Sequence, residues 1–226
     1  MKKRTKLADR KLPNYSKGEE IFNMVTHIVG GAFGLVMLVL FIIRGAFLHH
    51  SVASVLCGIV FGLSLIILFT MSAIYHGLSP KLKAKKVMQI LDHCSVFLLI
   101  AGSYTPVTIC ALAQASPSLA WVIFGVVWGI SILGIVLNSI DVNKYMAFSM
   151  VCYLGLGWCI VLSLPFLMSV LPAAATWMLF AGGVAYTLGA ILFGLGVKVR
   201  YMHSVFHIFV DIGAILHGLM VLLFVL

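Results

Sequence analysis

The sequence predicts an all-α membrane protein: a bundle of seven transmembrane helices with a cytoplasmic amino terminus and an extracytoplasmic carboxyl terminus. Of its 226 residues, 62% are apolar and 9% are charged, so the chain lacks the polar surface of a water-soluble fold. Apolar runs of about 20 residues, the helical length that crosses a hydrocarbon core of roughly 30 Å, recur along it. Its basic residues are also distributed unevenly between the two sides that these runs define.

Seven apolar runs are separated by short connections. The predicted spans are residues 21–43, 52–78, 88–111, 119–138, 146–169, 174–196 and 203–225. The first run is too long for the apolar core of a signal peptide, so we expect it to be retained as a helix. The pattern therefore predicts a basic cytoplasmic arm over residues 1–20 and one helical membrane domain over residues 21–226, with little chain outside the bilayer.

The orientation follows from the positive charges. All but one of the 15 Lys and Arg residues lie in the arm or in the connections 79–87, 139–145 and 197–202, and Arg44 alone lies on the opposite side. Basic residues beside short loops are retained in the cytoplasm, so the arm and these connections are predicted to be cytoplasmic. An odd number of spans then places the carboxyl terminus outside.

The net charge of +9 resides in short segments beside the membrane. This placement predicts membrane lipids as partners, with anionic headgroups at the cytoplasmic face, and no nucleic acid. We expect a multi-pass location in the plasma membrane.

The five cysteines stand singly in apolar runs and are expected to be packing residues. Glycines four apart, as at Gly30 and Gly34 or Gly125 and Gly129, allow close helix contacts within or between subunits, so the oligomeric state stays open.

Ionisable side chains at three span ends indicate a common site. An ionisable group inside a span is costly, so each needs a partner or a role. His76 lies at the cytoplasmic end of the second span, Asp92 and His93 at the cytoplasmic start of the third, and His203 and His207 at the start of the seventh. Three separate helices therefore bring imidazoles and a carboxylate to one depth.

A metal ion is the ligand that this set favours. His203 and His207 are four residues apart, which places them on one helix face about 6 Å apart along the axis. With His76 they form a set of three imidazoles with an open fourth position, which is typical of zinc. We predict tetrahedral Zn²⁺ held by these three residues; a polar seam without metal is the alternative. His217, about 15 Å deeper by helical rise, is excluded.

Asp92 and Ser72 are the predicted catalytic residues. Asp92 can hold or deprotonate a metal-bound water, orient a ligand, or instead cap the third helix. Ser72 precedes His76 by four residues on the same helix face. Its hydroxyl can bond to that water, to a substrate, or back to its own helix.

Further polar residues are secondary candidates for the site. Glu20, Asn23 and His27 form a stripe at spacings of three and four at the start of the first span, and we expect the stripe to face the bundle. His27 is either a fourth ligand or a residue that packs the helices and shapes the site. Asp211 continues the His203 and His207 stripe, and it can accept a proton from an imidazole or pair with another span.

Four ordered motifs are spread along the chain: Glu19-Glu20-Ile-Phe-Asn23-Met-Val-Thr-His27, Ser72-Ala-Ile-Tyr-His76, Asp92-His93 followed by Ala101-Gly102-Ser103-Tyr104-Thr105-Pro106, and His203-Ser-Val-Phe-His207. Together they resemble the bacterial hemolysin III family, the prokaryotic branch of the progestin and adipoQ receptor superfamily. The resemblance implies a seven-helix fold with a cytoplasmic amino terminus. It also implies zinc on His76, His203 and His207, with Asp92 contacting the metal-bound water and Ser72 nearby.

Three functions are open at this point. Receptors of that superfamily look similar to alkaline ceramidases, which suggests a zinc-dependent hydrolase of a lipid amide or ester. Zinc acting as a structural clamp would instead suit a sensor of membrane state. The alternative, carried by the family name, is a pore-forming cytolytic protein. The outer halves of the spans are almost wholly apolar, which weighs against an open aqueous pore. The outer loops are too short to dock a protein hormone.

Overall fold

A computed structural model describes residues 5–48 and 50–226, and the regular elements of these residues are all helices. Residues 1–4 of the predicted arm, and residue 49, lie outside the described part. The α-helices are α1 (Lys17–Ile43), α2 (Val52–Gly77), α3 (Lys83–Pro106), α4 (Ala113–Ala115), α5 (Pro117–Trp158), α6 (Leu164–Val170), α7 (Ala173–Leu195) and α8 (Met202–Phe224). Single π-helical segments follow α1 and α3, at Arg44–Leu48 and Val107–Leu112, and a 3₁₀ segment, Cys159–Ser163, joins α5 to α6.

Six helical stretches of the described chain are long and apolar enough to cross a membrane: Lys17–Leu48, Val52–Gly77, Lys83–Ala115, Pro117–Val170, Ala173–Leu195 and Met202–Phe224. The predicted all-helical membrane class is thereby confirmed. The predicted spans 119–138 and 146–169 fall in one helical stretch of 54 residues, Pro117–Val170. Within it the backbone of Asp141 is extended, with φ −162° and ψ 94°, so two helices meet there across a kink.

α1 begins at Lys17, ahead of the predicted residue 21, because Ser16 and Glu19 form a capping box. The Glu19 amide donates to the Ser16 hydroxyl at 3.3 Å, and the Ser16 amide donates to Glu19 Oε2 at 2.8 Å. Glu19 Oε1 also accepts the amide of Tyr201 at 2.7 Å, one residue before α8. One carboxylate therefore ties the start of α1 to the start of α8.

Helix packing uses only one of the two predicted glycine pairs within the chain. α1 lies against α2 and α8, α2 against α3, α3 against α5, and α7 against α8. A Cβ added at Gly30 would lie 2.6 Å from the Phe69 ring, and one at Gly34 would lie 3.1 Å from Leu65. A Cβ at Gly125 or Gly129 would meet no atom within 4 Å. The expectation of a close contact within the chain is wrong there, because no atom of the described residues lies beside either glycine.

The described part of the arm that precedes α1, residues 5–16, is bound to the kink of α5 and to the start of α3. The Thr5 amide donates to Asp141 Oδ2 at 2.7 Å, and Lys86 Nζ donates to the Ala8 carbonyl at 2.5 Å. Asp141 Oδ1 accepts the Lys144 amide at 3.2 Å, as a capping residue does for the helix that follows it. Asp141 therefore caps the second half of α5 and holds the arm in place.

Candidate metal centre

Three histidines from two helices form a compact, buried group. His76 lies at the end of α2, and His203 and His207 lie in the first two turns of α8; they are 2%, 7% and 1% exposed. One ring nitrogen from each lies within 4.8 Å of the other two. The Nε2 atoms of His203 and His207 are 3.1 Å apart. Nitrogens bound to one tetrahedral zinc ion at about 2.0–2.1 Å are about 3.3 Å apart, so this pair is close to that arrangement.

The donor set fits a zinc ion. His76 Nε2 is buried and has no hydrogen-bond partner in the described chain, although buried polar atoms are nearly always paired. An ion held with His203 and His207 would satisfy it. Zinc binds imidazole nitrogen readily, whereas hard cations such as Mg²⁺ and Ca²⁺ select oxygen ligands. A set of three imidazoles therefore favours zinc.

The opposite side of the His76 ring meets a carboxylate. His76 Nδ1 lies 2.7 Å from Glu20 Oε2 and 3.4 Å from Asn23 Nδ2. The shorter distance to a charged acceptor indicates that Nδ1 carries the hydrogen and donates to Glu20. Nε2, which is buried and without a hydrogen-bond partner in the described chain, then keeps its lone pair for an ion. Glu20 Oε1 in turn accepts a hydrogen bond of 2.7 Å from Lys85 Nζ.

Asp92 and Ser72 line one cavity of about 150 Å³ together with His203 and His207. Asp92 Oδ2 lies 3.9 Å from His93 Nδ1. The capping interpretation of Asp92 is wrong, because α3 begins at Lys83 rather than at residue 88 and its N-cap position is Leu82. Asp92 therefore lies well inside the helix, and its side chain is available to the cavity.

The secondary candidates lie beside the three histidines in different ways. The His27 ring stacks on His207, with centroids 3.8 Å apart and an interplanar angle of 28°. It thus packs against His207, and it is not among the residues whose nitrogens form the described group. Asp211 Oδ1 is buried without a hydrogen-bond partner in the described chain, and a Cβ added at Gly30 would lie 2.7 Å from it. This oxygen therefore packs against α1 without bonding to an imidazole.

Tyr15 covers the group on the side of the arm. Its ring stacks on His203, with centroids 4.8 Å apart and planes at 23°, and it lies 5.7 Å from the His76 ring. Burial, followed by the nearby carboxylate of Asp92, raises the pKa of Tyr15. The phenol therefore stays neutral, and the arm shields the imidazoles from the aqueous side.

Sequence reasoning missed Lys85 and Tyr15 as parts of the site. Lys85 was assigned to a cytoplasmic connection, yet it is 1% exposed. The sequence does contain a signal for Lys85. Lys85, Gln89 and Asp92 follow the i, i+4, i+7 spacing of one helix face, which places Lys85 on the same face as Asp92. Tyr15 carried no such signal, since its position depends on how the arm folds back.

A family model described as "Haemolysin-III related" matches residues 15–218. The chain belongs to the haemolysin III family. The membership confirms the resemblance drawn from the four motifs. This haemolysin III chain is accordingly a multi-pass membrane protein, and in bacteria such proteins lie in the cell membrane.

Relatives of this haemolysin III chain occur in bacteria and animals. It is 33% identical to "Hemolysin-3" of Bacillus cereus over 208 residues, which cover 92% of each chain. It is 31% identical to the "Hemolysin-3 homolog" of Bacillus subtilis (strain 168) over 192 residues, 85% of this chain and 87% of that one. With the human "Monocyte to macrophage differentiation factor" it shares 25% identity over 166 residues, 70% of this chain and 66% of the relative.

Proposed function

We propose that this haemolysin III protein is a zinc-dependent hydrolase that cleaves an amide or ester bond of a membrane lipid. One observation carries the proposal: two of the three grouped imidazoles, those of His203 and His207, line a largely apolar cavity that Asp92 and Ser72 also line. Three protein ligands with a further open position are typical of catalytic zinc sites, whereas structural sites are closed by four.

The residues of the site divide the chemistry between them. His76, His203 and His207 would hold the ion, and bound zinc supplies Lewis acidity that polarises a carbonyl and activates water. The water oxygen adds to the carbonyl carbon while Asp92 accepts its proton. The carbon–nitrogen or carbon–oxygen bond then breaks, and Asp92 passes the proton to the leaving nitrogen or oxygen. The Ser72 hydroxyl donates a hydrogen bond that orients the substrate carbonyl.

The cavity suits an acyl chain. Its lining also includes Met150, Phe193 and Phe206, which offer an apolar surface to hydrocarbon. Leu154, also in the lining, is 36% exposed, so the cavity extends to the outer face of the bundle. Tyr15 covers the aqueous side. We therefore propose that a lipid enters from the bilayer, between the second half of α5 and α7.

We also propose that the chain crosses the bilayer seven times. As one straight helix, the 54 residues of Pro117–Val170 would span about 80 Å, far more than a hydrocarbon core of roughly 30 Å. The kink at Asp141 therefore separates two crossings. The basic residues assign the arm to the cytoplasm, where its exposed lysines meet anionic headgroups.

Two other functions are supported by separate observations. The bacterial relatives bear the name hemolysin, which supports a cytolytic pore. The ligands come from α2 and α8, so a metal ion would also join two helices, as a sensor with a structural clamp requires. We rank the hydrolase first because Asp92 and Ser72 line the same cavity as His203 and His207.

The proposal is tested by metal content and turnover on the same samples. We expect about one zinc ion per chain in detergent-purified protein, lost in His76→Ala and His207→Ala. His217→Ala is the matched control, since His217 is a half-buried histidine of α8 that bonds to the Leu179 carbonyl at 3.1 Å and lies outside the group. Asp92→Asn should keep zinc and lose cleavage of an N-acyl sphingoid base and of an O-acyl ester with the same chain.

Each other outcome points to a different function. Zinc without cleavage of either lipid would favour the sensor. A wild-type protein that folds without zinc would overturn the metal centre, and dye release from liposomes containing that protein would then favour the pore.

A further inference from the structure

The Lys85 ammonium group is buried at the meeting point of three helices. Lys85 Nζ, on α3, donates to Glu20 Oε1 of α1 at 2.7 Å and to the Leu78 carbonyl at the end of α2 at 2.9 Å. It also lies 4.9 Å from the centre of the Tyr75 ring. Removing a lysine from water is costly unless its charge is paired and its donors are satisfied. Here the Glu20 carboxylate and the carbonyl at the end of α2 meet both needs.

This ion pair is connected directly to one of the three imidazoles. The second oxygen of Glu20 accepts from His76 Nδ1 at 2.7 Å, and Lys85 Nζ lies 3.5 Å from the His76 carbonyl. Lys85 therefore restrains the backbone of His76 while Glu20 restrains its ring. A carboxylate that binds the far nitrogen of a ligand imidazole fixes its tautomer and orientation.

We infer that Lys85 and Glu20 act as a pair of positioning residues that hold His76 with Nε2 directed into the metal centre. The inference rests on the proposed metal centre and deepens it. Asn23 is a poor substitute for Glu20, because its amide nitrogen lies 3.4 Å from the same Nδ1 and is a donor. Loss of the carboxylate would free the ring to rotate and to present the wrong nitrogen to the ion.

The test separates positioning from folding by keeping the buried charge balanced. Glu20→Gln combined with Lys85→Met removes both charges together, so neither remains buried alone. We expect the dissociation constant for zinc, measured by chelator competition, to rise about 10- to 100-fold. The visible absorption spectrum of the cobalt-substituted protein should shift, because the His76 ligand is displaced, while the melting temperature of the metal-free protein stays near that of wild type.

Two further variants make the result decisive. Glu20→Asp keeps the charge but shortens the reach to Nδ1, and it should also weaken zinc binding and alter the cobalt spectrum. Lys83→Met is the matched control, because Lys83 is an exposed lysine two residues earlier in α3. The Lys83→Met protein should bind zinc as wild type does. Wild-type zinc affinity and cobalt spectrum in the double variant would overturn the inference while leaving the metal centre intact. A wild-type protein without zinc would overturn both.

Discussion

At the scale of single residues, whether a helix position requires glycine depends on the side chain packed against it and not on the interval between glycines in the sequence. A Cβ added at Gly134 would lie 2.2 Å from the end of the Phe97 ring. That ring is fully buried and packs against Tyr153, with centroids 4.5 Å apart, so it has little room to move. Gly129, one and a half turns earlier in α5, has no neighbour within 4 Å of such a Cβ.

We predict that Gly134→Ala lowers the melting temperature of the detergent-purified protein by several degrees, because overpacking a rigid contact costs about 1–3 kcal/mol. Gly129→Ala should leave the melting temperature unchanged or slightly raised, since alanine favours the helix. Thermal unfolding of both variants beside wild type checks this. Equal melting temperatures for the two variants would show that α3 and α5 are not in close contact at Gly134.

At the scale of elements, the arm functions as part of the site. Its attachment to Asp141 and to Lys86 carries the chain across the helix ends before α1 begins. Tyr15 then stacks on His203 and approaches His76. The segment that its charges predict to be a basic cytoplasmic arm thus contributes a cover over the imidazoles.

From this arrangement we predict that Tyr15→Ala accelerates removal of bound zinc by a water-soluble chelator several-fold, because the aqueous route to His203 is opened. Tyr145→Ala is the control, since the ring of Tyr145 lies under the Lys144 ammonium group, whereas Tyr15 is the arm residue that contacts His76 and His203. Release is followed with a chromogenic chelator under pseudo-first-order conditions. An unchanged rate in Tyr15→Ala would mean that the chelator reaches the ion by another route.

At the scale of the whole molecule, the number of membrane crossings depends on whether the kink at Asp141 separates two of them. If Pro117–Val170 forms two crossings, the residues that follow Asp141 reach the cytoplasm and the connection before α7 reaches the outside. Asn143 and Ala174, both exposed, report on these two positions.

We predict that single cysteines at these sites, in a variant lacking the five native cysteines, react differently with a membrane-impermeant maleimide. Ala174→Cys should be labelled in intact cells, and Asn143→Cys only after the membrane is permeabilised. Asn143→Cys that stays unlabelled even then would lie within the bilayer, which contradicts two crossings.

The sequence by itself determined the membrane class, the approximate positions of the long apolar helices and the family. Length, hydropathy and short motifs are properties of neighbouring residues, and each span must satisfy its own backbone hydrogen bonds in lipid. It also identified His76, His203 and His207 as a candidate set, because two of them share a helix face and all three lie near predicted span ends.

The tertiary structure alone decided how the faces of distant helices meet. It placed Asp92 inside α3 instead of at its cap, stacked His27 on His207, and brought Lys85 to Glu20 across 65 positions of sequence. It also determined that Gly134 and not Gly129 is in close contact. These outcomes depend on helix rotation and on contacts between residues far apart in the chain, which local periodicity does not specify.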